Sequence, residues 1–150
     1  MDVRYELIIG LPAEPILASL IDQLVIIFSN QSRADLLTEL TYQQERTALQ
    51  LVLAFSNGQV VGCKLGYERK PHHFYSWLGG VHPDFRGYGI ASELMRRQHD
   101  WCRQQNYHTV RTQTYNQWRG MLILNLRVGF DIIGTLQGKH GLTIVLEKNL

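Results

Sequence analysis

Two apolar runs, LQLVLAFS and QVVGCKLGYE, meet at Asn57-Gly58, and this junction limits the fold more than any other feature of the chain. Asparagine and glycine both tolerate positive φ, which a two-residue hairpin turn requires. The spacing therefore predicts two antiparallel neighbouring strands. Further on, the aromatic-rich run HFYSWLGGV reads as a fourth strand, followed by the glycine turn Arg86-Gly87-Tyr88-Gly89, a helix from about Ile90 to Gln105, and a fifth strand, HTVRTQTY. Strand, turn, helix and strand make a βαβ unit. A hairpin and a βαβ unit in one chain predict an α/β protein.

The remaining segments fit around these. YELIIG reads as a short first strand, and Pro12 and Pro15 introduce a helix whose stripe is Leu17, Leu20, Ile21, Leu24, Ile27 and Phe28. RADLLTELTYQQ predicts a second, shorter helix. The Ile90 helix has its stripe at Ala91, Leu94, Trp101 and Cys102. MLILNLRV predicts a helix closed by Gly129 as a left-handed cap. FDIIGT and LTIVLEK predict two last strands around the turn QGKHG. The predicted order is β-α-α-β-β-β-α-β-α-β-β. Gly79-Gly80, near the end of the fourth strand, predicts a bulge or a place where another backbone comes close.

At 150 residues the chain has the length of one domain, and residues 1–150 are read as such. A formal net charge of +2, with no block of like charge, argues against a nucleic-acid partner. Cys63 and Cys102 lie far apart inside apolar stretches, which fits a reducing compartment. The first residues lack the basic and apolar regions of a secretory signal, and the most apolar segment, Ile16 to Phe28, is too short to span a bilayer. A cytoplasmic protein with no membrane partner is expected. His82, His99, His108 and His140 show no ligand spacing and the two cysteines are isolated, so no metal is expected.

The turn at residues 86–89 carries the chemistry. At a helix start, unpaired N–H groups and the positive end of the dipole attract an anion, and Arg86 adds a full charge. The turn reads either as a pyrophosphate cradle or as an ordinary glycine-containing connection. A dinucleotide fingerprint would need glycine at Ser92 and an acidic residue about 20 positions on, which NYHTVRTQTY does not offer. GTLQGKH is one residue short of a P-loop and ends in His140.

Arg86-Gly87-Tyr88-Gly89-Ile90-Ala91 resembles the R/Q-x-x-G-x-G/A signature of the GNAT superfamily of N-acetyltransferases. Val81-x-Pro83 upstream, Gly129-Phe130 after the later helix, and the element order resemble that family too, so the likeness covers the whole chain. The resemblance implies a central mixed, mostly antiparallel sheet of about seven strands flanked by about four helices. It implies acetyl-CoA as cosubstrate, held by Arg86, Gly87, Tyr88, Gly89, Ile90 and Ala91 at its pyrophosphate and by the backbone around Val81 at its pantetheine arm. Asn116 resembles the family's asparagine after the fifth strand, although its distance to Phe130 is two residues longer than usual. Asn125 stands where many members have a tyrosine that protonates the departing thiolate; it has no labile proton to give, but it can hydrogen-bond the coenzyme.

Acetyl transfer to an amine meets two proton costs. Neutralising an alkyl ammonium of pKa ~10.4 at pH 7 costs about 4–5 kcal/mol, whereas releasing a thiolate of pKa ~8.5 costs about 2 kcal/mol. A base therefore matters more than an acid. The family often places a carboxylate on the fourth strand, and this strand has none. The candidates nearby are Glu68, His72, His73 and Tyr75. Adjacent His72 and His73 are expected on opposite strand faces, and Glu68 can equally be a solvated neighbour of Arg69 and Lys70. The reading is an N-acetyltransferase acting on a primary amine of a small molecule or protein, with a non-catalytic acyl-CoA sensor as the alternative and an interaction domain with an incidental loop as a third. A homodimer is also consistent, since many such domains pair through sheet edges or last strands.

Overall fold

A computed structural model of the chain describes residues 2–150. Its strands are β1 (Arg4–Ile9), β2 (Gln50–Ser56), β3 (Gln59–Lys70), β4 (His73–Val81), β5 (Thr109–Tyr115), β6 (Asp131–Gly138) and β7 (Gly141–Asn149). The helices are α1 (Ile16–Ile27), α2 (Arg33–Arg46), α3 (Ile90–Gln104) and α4 (Arg119–Arg127), with a single 3₁₀ turn at Pro83–Phe85. The strands hydrogen-bond in the order β1-β2-β3-β4-β5-β7-β6. Ladders β1–β2, β2–β3, β5–β7 and β6–β7 are antiparallel, and β4–β5 is parallel. The predicted element order and the mixed, mostly antiparallel sheet are what the structure has.

The chain forms two compact units, residues 1–67 with 78–98 and residues 68–77 with 99–150. In the first, Asn57 and Gly58 take φ of 51° and 75°, as the hairpin turn demands. β2 is covered on both faces, since six of its seven residues are buried. Val52 and Ala54 pack with Val61, Val81, Ile90 and Leu94. Gly62 and Gly80 make room for helices: a Cβ on Gly62 would sit 3.2 Å from Ile90, and one on Gly80 would sit 2.8 Å from Ile27 of α1. Gly79 faces backbone instead, 3.2 Å from the Cys63 carbonyl, as expected of a close approach.

Lys64 is the exception in this core. It is only 7% exposed and lies opposite Val52 in the ladder. Burial pushes its amine down from 10.5 to about 8. The folded value is below the unfolded one, so the native chain binds fewer protons between about 8 and 10.5 and stability rises with pH across that window.

The second unit centres on aromatic packing. Phe74 meets Trp101 and Tyr107 edge-on, with ring centroids 5.8 and 5.3 Å away, and the Phe130 ring lies 5.6 Å from His99. Cys102, Val110 and Leu146 are fully buried. Gly129 has φ of 104° and ends α4 as a left-handed residue.

Several expected details differ. α2 has 14 residues against 12 in α1, so it is the longer of the two, extended by Glu45 and Arg46. β3 runs on to Lys70, and His72 sits outside the strands in the two-residue turn before β4, with φ of 66°; it and His73 are not a strand-face pair. The last hairpin turns at Lys139-His140 rather than across QGKHG, because Gly138 and Gly141 still pair. The buried stripe of α3 includes Ile90, Met95, Gln98 and His99 beside Leu94 and Cys102, while Ala91 and Trp101 are half-buried. Polar residues on that stripe hid it from a reading by hydrophobic period.

Candidate functional site

The start of α3 is built by the residues around it. Val81 ends β4 with its side chain buried, and the His82 amide donates to the Val61 carbonyl at 2.8 Å. The His82 imidazole Nδ1 accepts from the Asp84 amide at 3.0 Å and so caps the 3₁₀ turn that Pro83 begins. Arg86 then folds back, its Nε donating to the Val81 carbonyl at 3.0 Å. This bond ties the two ends of the loop together and fixes where the chain enters the glycines.

Gly87 and Gly89 have φ of 84° and 80°, values a side chain would strain. A Cβ added at either would meet nothing within 4 Å, so the space above both is open. The first hydrogen bond of the helix runs from the Glu93 amide to the Gly89 carbonyl at 3.1 Å. Amides before it have no helical partner, and glycine at the cap position has no side chain to offer them. Glu93, the acid of the first turn, is drawn away: Arg96 and Arg97 bind its Oε1 at 2.6 and 2.8 Å. The Arg96 hydrogen bond first, with Arg97 beside it, holds the Glu93 carboxyl down at about 2.

β4 alternates irregularly. Its buried positions are Phe74, Ser76 and Val81, and the step from 76 to 81 is out of phase with a period of two. The alternation slips across Trp77–Gly80, where the glycine pair predicts a bulge. The β4–β5 ladder covers four pairs, from His73 with Thr109 to Ser76 with Thr112, and the Thr112 hydroxyl donates to the Ser76 carbonyl at 2.9 Å.

The other candidates lie in the second unit. Glu68 accepts a hydrogen bond from the Tyr107 hydroxyl at 3.1 Å, and burial followed by that bond pushes Tyr107 up to about 12. His72 stacks on His108, with ring centroids 4.6 Å apart. His73 opens β4, eight residues before Val81 closes it; its Nδ1 is buried without a partner, and burial, then nearby Lys70, lowers its pKa. Tyr75 is half-buried in the same strand. Asn116 is exposed in the turn after β5. Asn125 is 1% exposed on α4, and its side-chain oxygen accepts no hydrogen bond. Among the described residues, no group of three His, Cys, Asp or Glu side chains is placed to hold a metal ion, and no helix is long and apolar enough to cross a membrane.

Reading by residue type missed His82 as a cap, the fork of Glu93 with Arg96 and Arg97, and the Arg86–Val81 tie. The first two are visible as His-Pro-Asp and as acid-base spacings of three and four on a helix. The third has no sequence signal.

The sequence profile of the acetyltransferase (GNAT) family matches residues 17–120. No curated protein matches the chain. Among solved structures, a chain of the NatC complex bound to Gag peptide and CoA superposes with a TM-score of 0.80 at 19% identity, covering 100% of this chain and 99% of that one. The ribosomal-protein-alanine N-acetyltransferase of Brucella melitensis gives 0.75 at 20% identity, over 95% and 99% of the two chains. The IAA acetyltransferase of Bacillus cereus ATCC 14579 gives 0.74 at 21%, over 99% and 100%. At these identities the likeness is one of fold.

Proposed function

The chain belongs to the acetyltransferase (GNAT) family, and from that premise we propose that it moves an acetyl group from acetyl-CoA to a primary amine of a small molecule or protein by direct attack on the thioester. The observation that carries this reading is the open start of α3, where two positive-φ glycines follow an arginine tied back to β4. Gly87, Tyr88, Gly89, Ile90 and Ala91 offer backbone amides to the pyrophosphate, with the Arg86 charge beside them. The backbone around Val81 holds the pantetheine arm, and Asn116 and Asn125 contact the coenzyme. Acetyl-CoA, when bound, supplies the activated acyl group. Residues 1–150 act as one cytoplasmic acetyltransferase domain without a resident metal, independent of nucleic acid and membrane.

The side chain that handles the amine's proton is assigned to Tyr75. Among Glu68, His72, His73 and Tyr75 it lies nearest to Val81 along the chain, six residues away on the same strand. Glu68 lies on β3, a different strand, and His73 stands at the far end of β4. Replacing Tyr75 by Phe should lower kcat roughly 100-fold with little change in KM. Glu68→Gln and His73→Ala should stay close to wild type. Equal losses in all three would overturn the assignment.

A specific observation favours a second reading. β4 holds no carboxylate and Asn125 stands in place of a proton donor, as in a chain that binds acyl-CoA without transferring its acyl group. Free thiol released when the protein, acetyl-CoA and a panel of amines are mixed separates the two. Amine-dependent thiol release supports transfer; binding of acetyl-CoA without release from any amine supports the sensor.

A further inference from the structure

Among the described residues Lys64 is the only lysine, arginine or carboxylate that is buried. A lysine is almost never buried unless it is paired. Here the one ionisable group acting on its amine is the Cys63 thiol, which burial pushes up to about 12 and so keeps neutral. The ladder sets the direction of the side chain. Gly62 and Lys64, two residues apart on β3, share a face, and Ile90 and Leu94 of α3 pack against Gly62. Lys64 therefore lies between the sheet and α3. Its Cδ is 3.6 Å from the position a Cβ would take on Gly79, so the stem runs over a strand position that has no side chain, with the amine two bonds further on. One turn beyond Leu94 on α3, Gln98 is fully buried and both of its amide atoms lack partners. An ammonium without a counter-charge and a carboxamide without a hydrogen bond occupy this one helix–sheet interface.

With the pyrophosphate at residues 86–91, beyond the end of β4, the coenzyme arm runs back along the strand past Val81 to Gly79. We propose that the Lys64 ammonium is the proton donor to the departing thiolate of coenzyme A, an inference that rests on the acetyl-transfer reading. In this step the acceptor nitrogen bonds to the acyl carbon, the C–S bond breaks with its electron pair going to sulfur, and a proton passes from Lys64 Nζ to that sulfur. The proton shed by the acceptor nitrogen, by way of Tyr75 and solvent, recharges Lys64. Asn125 has no such proton to give, and Lys64 fills the role from another strand. The donor also matches its acceptor. Burial brings the amine from 10.5 down to about 8, beside a thiol of ~8.5, so the transfer is nearly level.

Two measurements on the full chain test the role, with folding of Lys64→Met confirmed by circular dichroism. In the first, CoA bound to wild type and to Lys64→Met is titrated with pH by the ultraviolet absorbance of its thiolate. The bound thiol should hold its proton at least about tenfold less tightly in the wild type, where an ammonium faces it. In the second, amine-dependent thiol release from acetyl-CoA is followed against pH. At pH 7 the wild type should exceed Lys64→Met roughly 30-fold in kcat, the full cost of releasing the thiolate there, with equal KM for acetyl-CoA. The ratio should shrink towards one above about pH 9, where Lys64 has lost its proton and the thiolate no longer needs one. A ratio that stays constant with pH marks a purely structural lysine and overturns the proposal, as does a bound thiol that ionises alike in both proteins. Thiol release with no amine at all overturns the transfer reading and this role together; transfer combined with either of the two preceding results overturns the role alone.

Discussion

The starts of α2 and α3 use the same backbone geometry for opposite ends. At α2, Ser32 caps the helix by accepting from the Asp35 amide at 3.1 Å, and Asp35 adds a negative charge to the first turn. The helix closes its own end and leaves an anion nothing to bind. At α3, the preceding residue is glycine, the first-turn acid is held by two arginines, and the glycine turn opens onto empty space. Unpaired helix amides are unavoidable; whether they become a site depends on what the chain puts in front of them.

The largest effect should come from making the α3 start resemble that of α2. Arg86→Ala with Gly89→Glu removes the charge, fills the open space and sets a carboxylate where the pyrophosphate would lie. Affinity for acetyl-CoA should fall at least about 100-fold, or roughly 3 kcal/mol, by calorimetric titration with folding confirmed by circular dichroism.

A smaller change provides the background for such comparisons. Lys64→Met removes a buried amine that touches neither helix start and should stabilise the chain by about 1–3 kcal/mol at pH 7 in urea unfolding, with the gain shrinking as pH rises above about 8. Ser32→Ala should cost about 1 kcal/mol of stability and leave coenzyme binding untouched, which separates capping from ligand holding. Smallest of all, Glu93→Gln should cost about 0.5 kcal/mol, since the carboxylate is partly open to solvent, and tighten acetyl-CoA a few-fold by removing negative charge near the cradle. Because the folded Glu93 carboxyl sits at about 2, its contribution is fully present above the ordinary value of 4.5 and is lost progressively as pH falls from there through about 2.

How much of this was legible follows from the range of each interaction. The Asn57-Gly58 hairpin, the βαβ unit and the Gly129 cap are set by φ at single residues, so local sequence reveals them. The glycines at 87 and 89 were legible for the same reason, and their φ values agree with the reading. What stayed hidden depends on residues distant in the chain. Arg86 looked like a free charge, and its Nε turns out to hold the Val81 carbonyl. His72 looked like a strand residue, and β3 instead runs to Lys70 and leaves it in the turn. Lys64 gave no sign of burial, since a lysine in an alternating strand is ordinarily on the solvent side. Gly80 read as a backbone feature, and the contact that requires it is the Ile27 side chain of α1.

The most direct test of the account titrates wild-type protein with acetyl-CoA and with acetyl-pantetheine, which keeps the thioester arm and lacks the pyrophosphate and nucleotide. If the start of α3 is the anchor, acetyl-CoA should bind at a single site and acetyl-pantetheine at least about 100-fold more weakly. Equal affinity for the two, or no binding of acetyl-CoA, would contradict the assignment of residues 86–91 as a pyrophosphate cradle.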